Sequence, residues 1–282
     1  MTEKEMYNFI NEQNQETGFA YNEKERGLSN VFSALMRKVY VWMTFALIIT
    51  GVTAYGVASS PTLLTTIYTN SAIMWGLIIA EFVLVFAISG AINRLSLGTA
   101  TLLFILYSVL NGATLSSIFV LYEMTSIAKV FFITAGTFGA MAFYGYTTKR
   151  DLTSIGKILF MALIGLIIAT VVNMFLKSPG FDYILSYVGV AIFVGLTAWD
   201  SQKIKQMLQM QYDMSEGAQK LALLGALTLY LDFINLFLYL LRIFGGSNRD
   251  KKKTKYRRKR VCHNYMTHPF SMYHLIFLNL NI

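Results

Sequence analysis

The chain has 282 residues, 55% apolar and 14% charged, and stretches of about twenty uncharged residues recur along it. This pattern is typical of a polytopic membrane protein and excludes an ordinary soluble globular domain. The net charge of +9 is concentrated in one block, 249–260, which holds nine Lys or Arg residues and one Asp. Because the rest of the chain is close to neutral, the charge does not predict a nucleic-acid partner.

The predicted elements begin with a polar segment, 1–36, rich in Glu, Gln and Asn, for which we expect disorder and no cleavable signal peptide. An all-α membrane domain, 37–246, follows, with seven apolar stretches predicted to cross the bilayer as helices. A basic tail, 247–282, is also predicted to be disordered. The seven spans are Val39–Ala58, Ser71–Ile92, Leu97–Leu121, Val130–Tyr146, Ile158–Leu176, Tyr183–Ala198 and Leu221–Phe244.

The single cysteine, Cys262, and the three histidines, His263, His268 and His274, lie in or just after the basic block. The membrane domain therefore has no thiol and no imidazole, which excludes disulfides, Cys or His catalysis and the usual zinc sites there. Carboxylates, amides, hydroxyls and backbone groups remain for chemistry. We predict that the protein is not an enzyme and needs no cofactor.

The loop charges predict the orientation of the chain in the membrane. Lys and Arg residues precede the first span and follow the second, fourth and sixth, whereas the opposite loops carry only Lys129 and Lys177. The positive-inside rule then places the N-terminus in the cytoplasm. We expect a multi-pass protein of the inner (plasma) membrane. Seven crossings would place the basic tail outside, against the same rule. Either the seventh stretch does not fully cross, or the earlier loops fix the topology, which we favour.

The seventh span carries a narrow polar stripe among apolar residues. At about 100° per residue, its members fall within an arc of about 80°. Polar groups inside a bilayer face protein or water, so we expect this helix to be enclosed by the others. A hydrogen-bond network that only fixes packing is the structural alternative. The stripe consists of Thr228, Asp232, Asn235, Tyr239 and Arg242.

Two aspartates belong to adjacent spans, Asp200 at the end of the sixth and Asp232 within the seventh. An ionised carboxylate at the centre of a membrane helix costs at least ~2.5 kcal/mol, so its presence suggests function. If the antiparallel helices bring the two carboxyl groups together, one retains a proton and the pair titrates as a unit, which would form a proton latch. Taken alone, Asp200 could be an ordinary solvated acid at the membrane surface.

Glu81 lies near the centre of the second span among apolar neighbours. It either faces an internal pathway or is a neutral structural glutamic acid. Carboxylate oxygens are also ligands that Ca²⁺ prefers, so protons and Ca²⁺ would compete for the oxygens of Asp200 and Asp232, a transient calcium site.

Four sequence segments resemble the Bax-inhibitor family of membrane proteins: Met36–Met43, Gly145–Leu152, Trp199–Asp200 and Leu229–Phe237. The resemblance covers about residues 35–246 and is closest to the bacterial branch. It implies six helices around a central seventh and a pH-sensitive Ca²⁺ leak gated by a di-aspartyl sensor, whose positions match Asp200 and Asp232. Arg94, after the second span, is the candidate for the arginine that contacts the aspartates in compact members. The loop 201–220 is longer than theirs.

The resemblance and the polar residues together favour a calcium leak channel, an ion-transport function with pH sensing. Its partners would be the lipid bilayer and calcium ions. The alternative is a non-conducting membrane regulator that binds a membrane quality-control protease or another stress-response partner, for which the polar N-terminus would be the recognition element. A proton-coupled transporter is disfavoured because no internal repeat is visible. The candidate pathway-lining residues are Glu81, Thr228, Asn235, Tyr239 and Arg242.

Overall fold

The computed structural model describes the backbone of residues 3–246 and the side chains of residues 27–246. Within that part the chain forms nine α-helices and no strand. The predicted all-α fold class is confirmed. The helices are α1 (Glu3–Ser59), α2 (Pro61–Thr69), α3 (Ser71–Ala91), α4 (Leu97–Leu115), α5 (Ile118–Leu121), α6 (Met124–Thr147), α7 (Thr153–Leu176), α8 (Pro179–Gln209) and α9 (Glu216–Phe244).

Seven stretches of these described residues are long and apolar enough to cross a bilayer, and they correspond one to one to the predicted spans. The third consists of α4 and α5 together, because the helix is interrupted at Ser116 and Ser117. The nine-residue helix α2 was not predicted. It begins where Pro61 occupies the first turn and the Ser60 hydroxyl accepts a hydrogen bond from the Leu63 N–H, at 3.4 Å.

The N-terminal segment differs from the sequence-based expectation. Disorder is predicted for 1–36, but α1 begins at Glu3 and continues without a break into the first span. The physical reason is that Glu, Gln and Lys are good helix formers and no proline interrupts the segment. The prediction for the tail 247–282, with Cys262 and the histidines, lies outside the described residues.

Helix α9 is the most buried of the spans in the described structure. In the most apolar 18-residue stretch of α9, 83% of the residues are buried. The corresponding share is 22–28% in the spans of α1, α3, α6 and α7. Four helices, α1, α4, α6 and α8, pack directly against it, while α3 packs on α4 and α7 on α8. Enclosure of α9 by all six other spans stays a prediction.

Candidate functional site

The polar stripe of α9 lies against α8, its antiparallel neighbour. The Asp232 carboxyl group is hydrogen-bonded to that of Asp200. Two turns further along α9, Tyr239 packs on Phe193, with ring centroids 5.8 Å apart, and a side-chain carbon at Gly189 would overlap the Tyr239 ring. The stripe therefore contacts protein rather than lipid, as its composition requires.

Asp200 and Asp232 are both buried, with 2% and 0% of their surface exposed. Two carboxyl groups in hydrogen-bond contact share a proton, because an ionised carboxylate can accept a hydrogen bond but cannot donate one. A second proton or a cation would be needed to neutralise the pair fully. The arrangement can therefore hold and release protons, or exchange a proton for a cation that prefers oxygen ligands.

The positive charge near this pair is not Arg94. That residue is exposed in the turn between α3 and α4, and no ion pair joins it to either aspartate in the described part of the chain. Lys203, one helical turn after Asp200, is the cation that acts on it. Its ammonium group lies over the Trp199 ring, 5.2 Å from the centroid.

The far end of the stripe is ionic and partly exposed. Arg242 forms an ion pair with Asp182 of α8, with Nη1 and Oδ1 3.7 Å apart. The same Oδ1 accepts a hydrogen bond of 2.6 Å from the Asn173 side chain of α7. This cluster joins the ends of three helices and lies about 15 Å along α9 from Asp232, at 1.5 Å per residue.

The two remaining stripe residues bond to their own helix. The Thr228 hydroxyl donates to the Leu224 carbonyl at 3.1 Å, and the Asn235 amide donates to the Leu231 carbonyl at 2.9 Å. Such bonds satisfy these donors inside the membrane domain. Asn235 is buried and Thr228 is half-buried.

Glu81 belongs to a second buried polar cluster, the Glu81 centre, which is built from four helices. Thr114 Oγ1 donates to Glu81 Oε1 at 2.7 Å, and the Asn111 side chain also faces this carboxyl group. The Tyr230 hydroxyl donates to Asn111 Oδ1 at 2.9 Å and lies 2.7 Å from Thr50 Oγ1. The centre thereby joins α1, α3, α4 and α9, and it contacts α9 through Tyr230 rather than through the polar stripe.

Sequence reasoning singled out Glu81 but missed its partners. Asn111 gave a usable signal, since an amide in the middle of an apolar span needs a hydrogen-bond partner. Tyr230 gave none, because a tyrosine among leucines looks the same whether it contacts lipid or a buried amide. The distinction depends on which helix faces it.

The metal-binding capacity of the site is limited to a few oxygens. No group of three or more His, Cys, Asp or Glu residues that could hold a metal ion occurs within the described residues. Ca²⁺ usually takes six to eight oxygen ligands. Two carboxyl groups suit an ion that is bound briefly and keeps much of its water, as a transported ion would be.

The family model described as "Inhibitor of apoptosis-promoting Bax1" matches residues 32–249. The chain belongs to the Bax inhibitor family. It is 53% identical over 212 residues to the inner membrane protein YbhL of Escherichia coli strain K12, covering 75% of this chain and 91% of YbhL. An uncharacterized protein of Borreliella burgdorferi is 49% identical over 215 residues, covering 76% of this chain and 93% of that protein. A third relative, an uncharacterized protein of Rickettsia prowazekii, is 46% identical over 217 residues, covering 76% and 90%.

This membership confirms the resemblance drawn from the four sequence segments. Together with seven apolar helices of membrane-spanning length, it makes the chain a multi-pass membrane protein in contact with the lipid bilayer. The orientation of the N-terminus stays a prediction.

Proposed function

We propose that this Bax inhibitor family protein is a pH-sensitive calcium leak across the bacterial inner membrane, gated by the Asp200–Asp232 pair. The observation that carries the proposal is the hydrogen bond between these two buried carboxyl groups. The relative YbhL is named as an inner membrane protein, which supports the inner membrane as the location.

The gate works through the charge of the pair. A shared proton joins α8 and α9 at this level, whereas two ionised carboxylates at the same distance repel each other strongly in a medium of low dielectric constant. A change of pH therefore changes the free energy of the contact between the helices. Ca²⁺ can replace the proton as the neutralising charge. The same two carboxyl groups therefore sense protons and bind the transported Ca²⁺.

The remaining stripe residues extend this pathway along α9. Asn235 and Thr228 supply amide and hydroxyl oxygens on either side of Asp232, and Tyr239 and Arg242 continue the stripe to the end of the helix. Glu81 lies off the stripe, so in this proposal it stabilises the bundle rather than lining the pathway.

The experiment is Ca²⁺ flux into proteoliposomes from about pH 6 to about pH 8, a range that brackets a perturbed carboxyl group. Asp232→Asn should make the flux insensitive to pH across this range, because the amide does not titrate and Asp200 no longer faces a second carboxylate whose repulsion depends on pH. Asp213→Asn is the matched control. Hydrogen bonds from the side chain and backbone of Ser215 hold the pKa of Asp213 below its ordinary value, so this exposed loop carboxylate stays ionised across the range.

An absence of flux above that of empty liposomes at every pH would overturn the leak. The alternative would then be the non-conducting regulator that binds a membrane quality-control protease. Deletion of residues 1–27 tests it: a regulator should lose its effect on the protease, whereas a leak should persist.

A further inference from the structure

We propose that Gln202 is a positioning residue for the proton latch, which it serves by fixing the rotation of α8 about its own axis. This inference rests on the proposed function only for its consequence on flux. The mechanical part, that Gln202 holds Asp200 toward α9, stands on contacts seen in the structure and can be tested by itself.

The first observation is a clamp between Gln202 and the connection from α6 to α7. Its Oε1 accepts a hydrogen bond of 2.8 Å from the Leu152 N–H, and its Nε2 donates one of 2.8 Å to the Arg150 carbonyl. Gln202 is only 6% exposed, and its bond to Leu152 is buried while its bond to Arg150 is part-buried. A buried amide that loses such bonds leaves backbone groups unsatisfied, which is costly.

The second observation is that other residues on the same face of α8 as Gln202 contact α6. Ala198 and Lys205 share this face, since they lie four residues before and three residues after Gln202. A side-chain carbon at Gly145 of α6 would overlap the Ala198 carbonyl, so the two backbones touch there. The Lys205 ammonium group donates to the Tyr146 carbonyl at 2.7 Å.

The face of α8 that makes these contacts is opposite Asp200. Two residues along a helix differ by about 200°, so Gln202 and Asp200 point in nearly opposite directions. With one side of α8 clamped to the α6–α7 connection, the carboxyl group on the other side is presented to Asp232. A third contact acts in the same sense: the ring of Trp199 lies where a side chain at Gly156 of α7 would be.

The pair is surrounded by charged groups that bear on its titration. Lys203 is the cation that acts on Asp200 from its own helix. The titratable and charged groups on the elements around this end of α8 include Asp232, Glu216 and Lys220 from α9, Lys203 and Lys205 from α8, Tyr144 and Tyr146 from α6, Lys149, Arg150 and Asp151 from the connection, Lys157 from α7, and Arg37, Lys38 and Tyr40 from α1.

The mechanical test measures the accessibility of position 200. In a Cys262→Ser background, Asp200→Cys supplies the one thiol, and its rate of labelling by a water-soluble maleimide is measured in proteoliposomes. Adding Gln202→Met, which keeps the length of the side chain but neither hydrogen bond, should raise the rate several-fold. Gln209→Met, at an exposed position at the end of the same helix, should leave it unchanged.

A second labelling position, on α7, distinguishes rotation of α8 from loosening of the whole helix bundle. Leu163 is 1% exposed, and a thiol introduced by Leu163→Cys should label at the same slow rate with or without Gln202→Met. Equal increases at positions 163 and 200 would overturn the proposal, as would no increase at position 200. If Gln202→Met does not fold, Gln202→Asn replaces it, because its shorter amide cannot span both backbone partners.

The functional readout is the pH midpoint of Ca²⁺ flux with both aspartates intact. Gln202→Met should move it to lower pH by roughly half a unit, because a proton shared by two touching carboxyl groups is lost less readily than one on a separated group. A midpoint equal to that of Gln209→Met would overturn the coupling to the latch. Faster labelling at position 200 in a protein without any flux would instead retain the clamp and reject the leak.

Discussion

Asp232 and Glu81 are both fully buried on adjacent parts of the same bundle, yet their surroundings differ in kind. Asp232 faces another carboxyl group across a single helix pair. Glu81 faces the Thr114 hydroxyl and the Asn111 amide, and the amide is tied to two further helices through Tyr230 and Thr50. Burial alone therefore does not identify the titrating site. A carboxyl group with neutral partners stabilises one arrangement, whereas two carboxyl groups in contact make the arrangement depend on pH.

The largest effect on stability is expected at the Glu81 centre. Glu81→Ala removes the carboxyl group that accepts from Thr114 and faces Asn111, and it opens a cavity, which should lower the free energy of unfolding by about 3 kcal/mol. Glu81→Gln keeps an oxygen for Thr114 and should cost about 1 kcal/mol. Thermal unfolding in detergent micelles measures both. Ca²⁺ flux through Glu81→Gln should keep the wild-type pH profile. A flat profile would mean that Glu81, and not only the aspartate pair, sets the pH dependence.

A smaller effect is expected from Tyr230→Phe. This change removes the hydrogen bonds to Asn111 and Thr50 but keeps the ring that packs against Tyr107 and Phe104. Stability should fall by about 1–3 kcal/mol, because the buried partners lose a hydrogen bond.

The control for Tyr230→Phe is Tyr183→Phe, at a side chain that is 55% exposed. The same unfolding measurement should show almost no change there. Equal effects at the two positions would mean that the Glu81 centre does not depend on Tyr230.

The smallest effect is expected at the partly exposed end of the stripe. The Arg242–Asp182 pair has its nitrogen and oxygen 3.7 Å apart, and nearly half of the Asp182 side chain is accessible. Exposed ion pairs contribute about 1 kcal/mol or less, so Arg242→Met should barely change the unfolding temperature. Its flux should keep its pH dependence. A loss of pH dependence in Arg242→Met would extend the sensor beyond the buried pair.

The seven spans and the candidate pair could be predicted from sequence because the signals are local. An apolar run of bilayer length and an acid within it can be recognised without knowing which helices touch. The antiparallel order of adjacent spans then makes Asp200 and Asp232 neighbours. The interruption at Ser116 and Ser117 is harder to see, since it depends on the contact of the Tyr68 hydroxyl with the Thr114 carbonyl and the Ser117 N–H.

The partners of the predicted residues could not be found in the same way. Gln202 looks like one more polar residue at the membrane surface until Leu152 and Arg150 are seen to face it. Arg94 looks suited to neutralise the aspartates by its place in the chain, but the turn between α3 and α4 leaves it exposed. These assignments depend on contacts between helices distant in sequence, which periodicity does not encode.

The most direct test of the central claim compares Asp200→Asn, Asp232→Asn and the double variant in the same flux assay across about pH 6 to about pH 8. If the two carboxyl groups titrate as one unit, either single substitution abolishes the pH dependence, and the double variant shows the same flat profile as each single one. A single variant that keeps the wild-type pH profile would contradict the account.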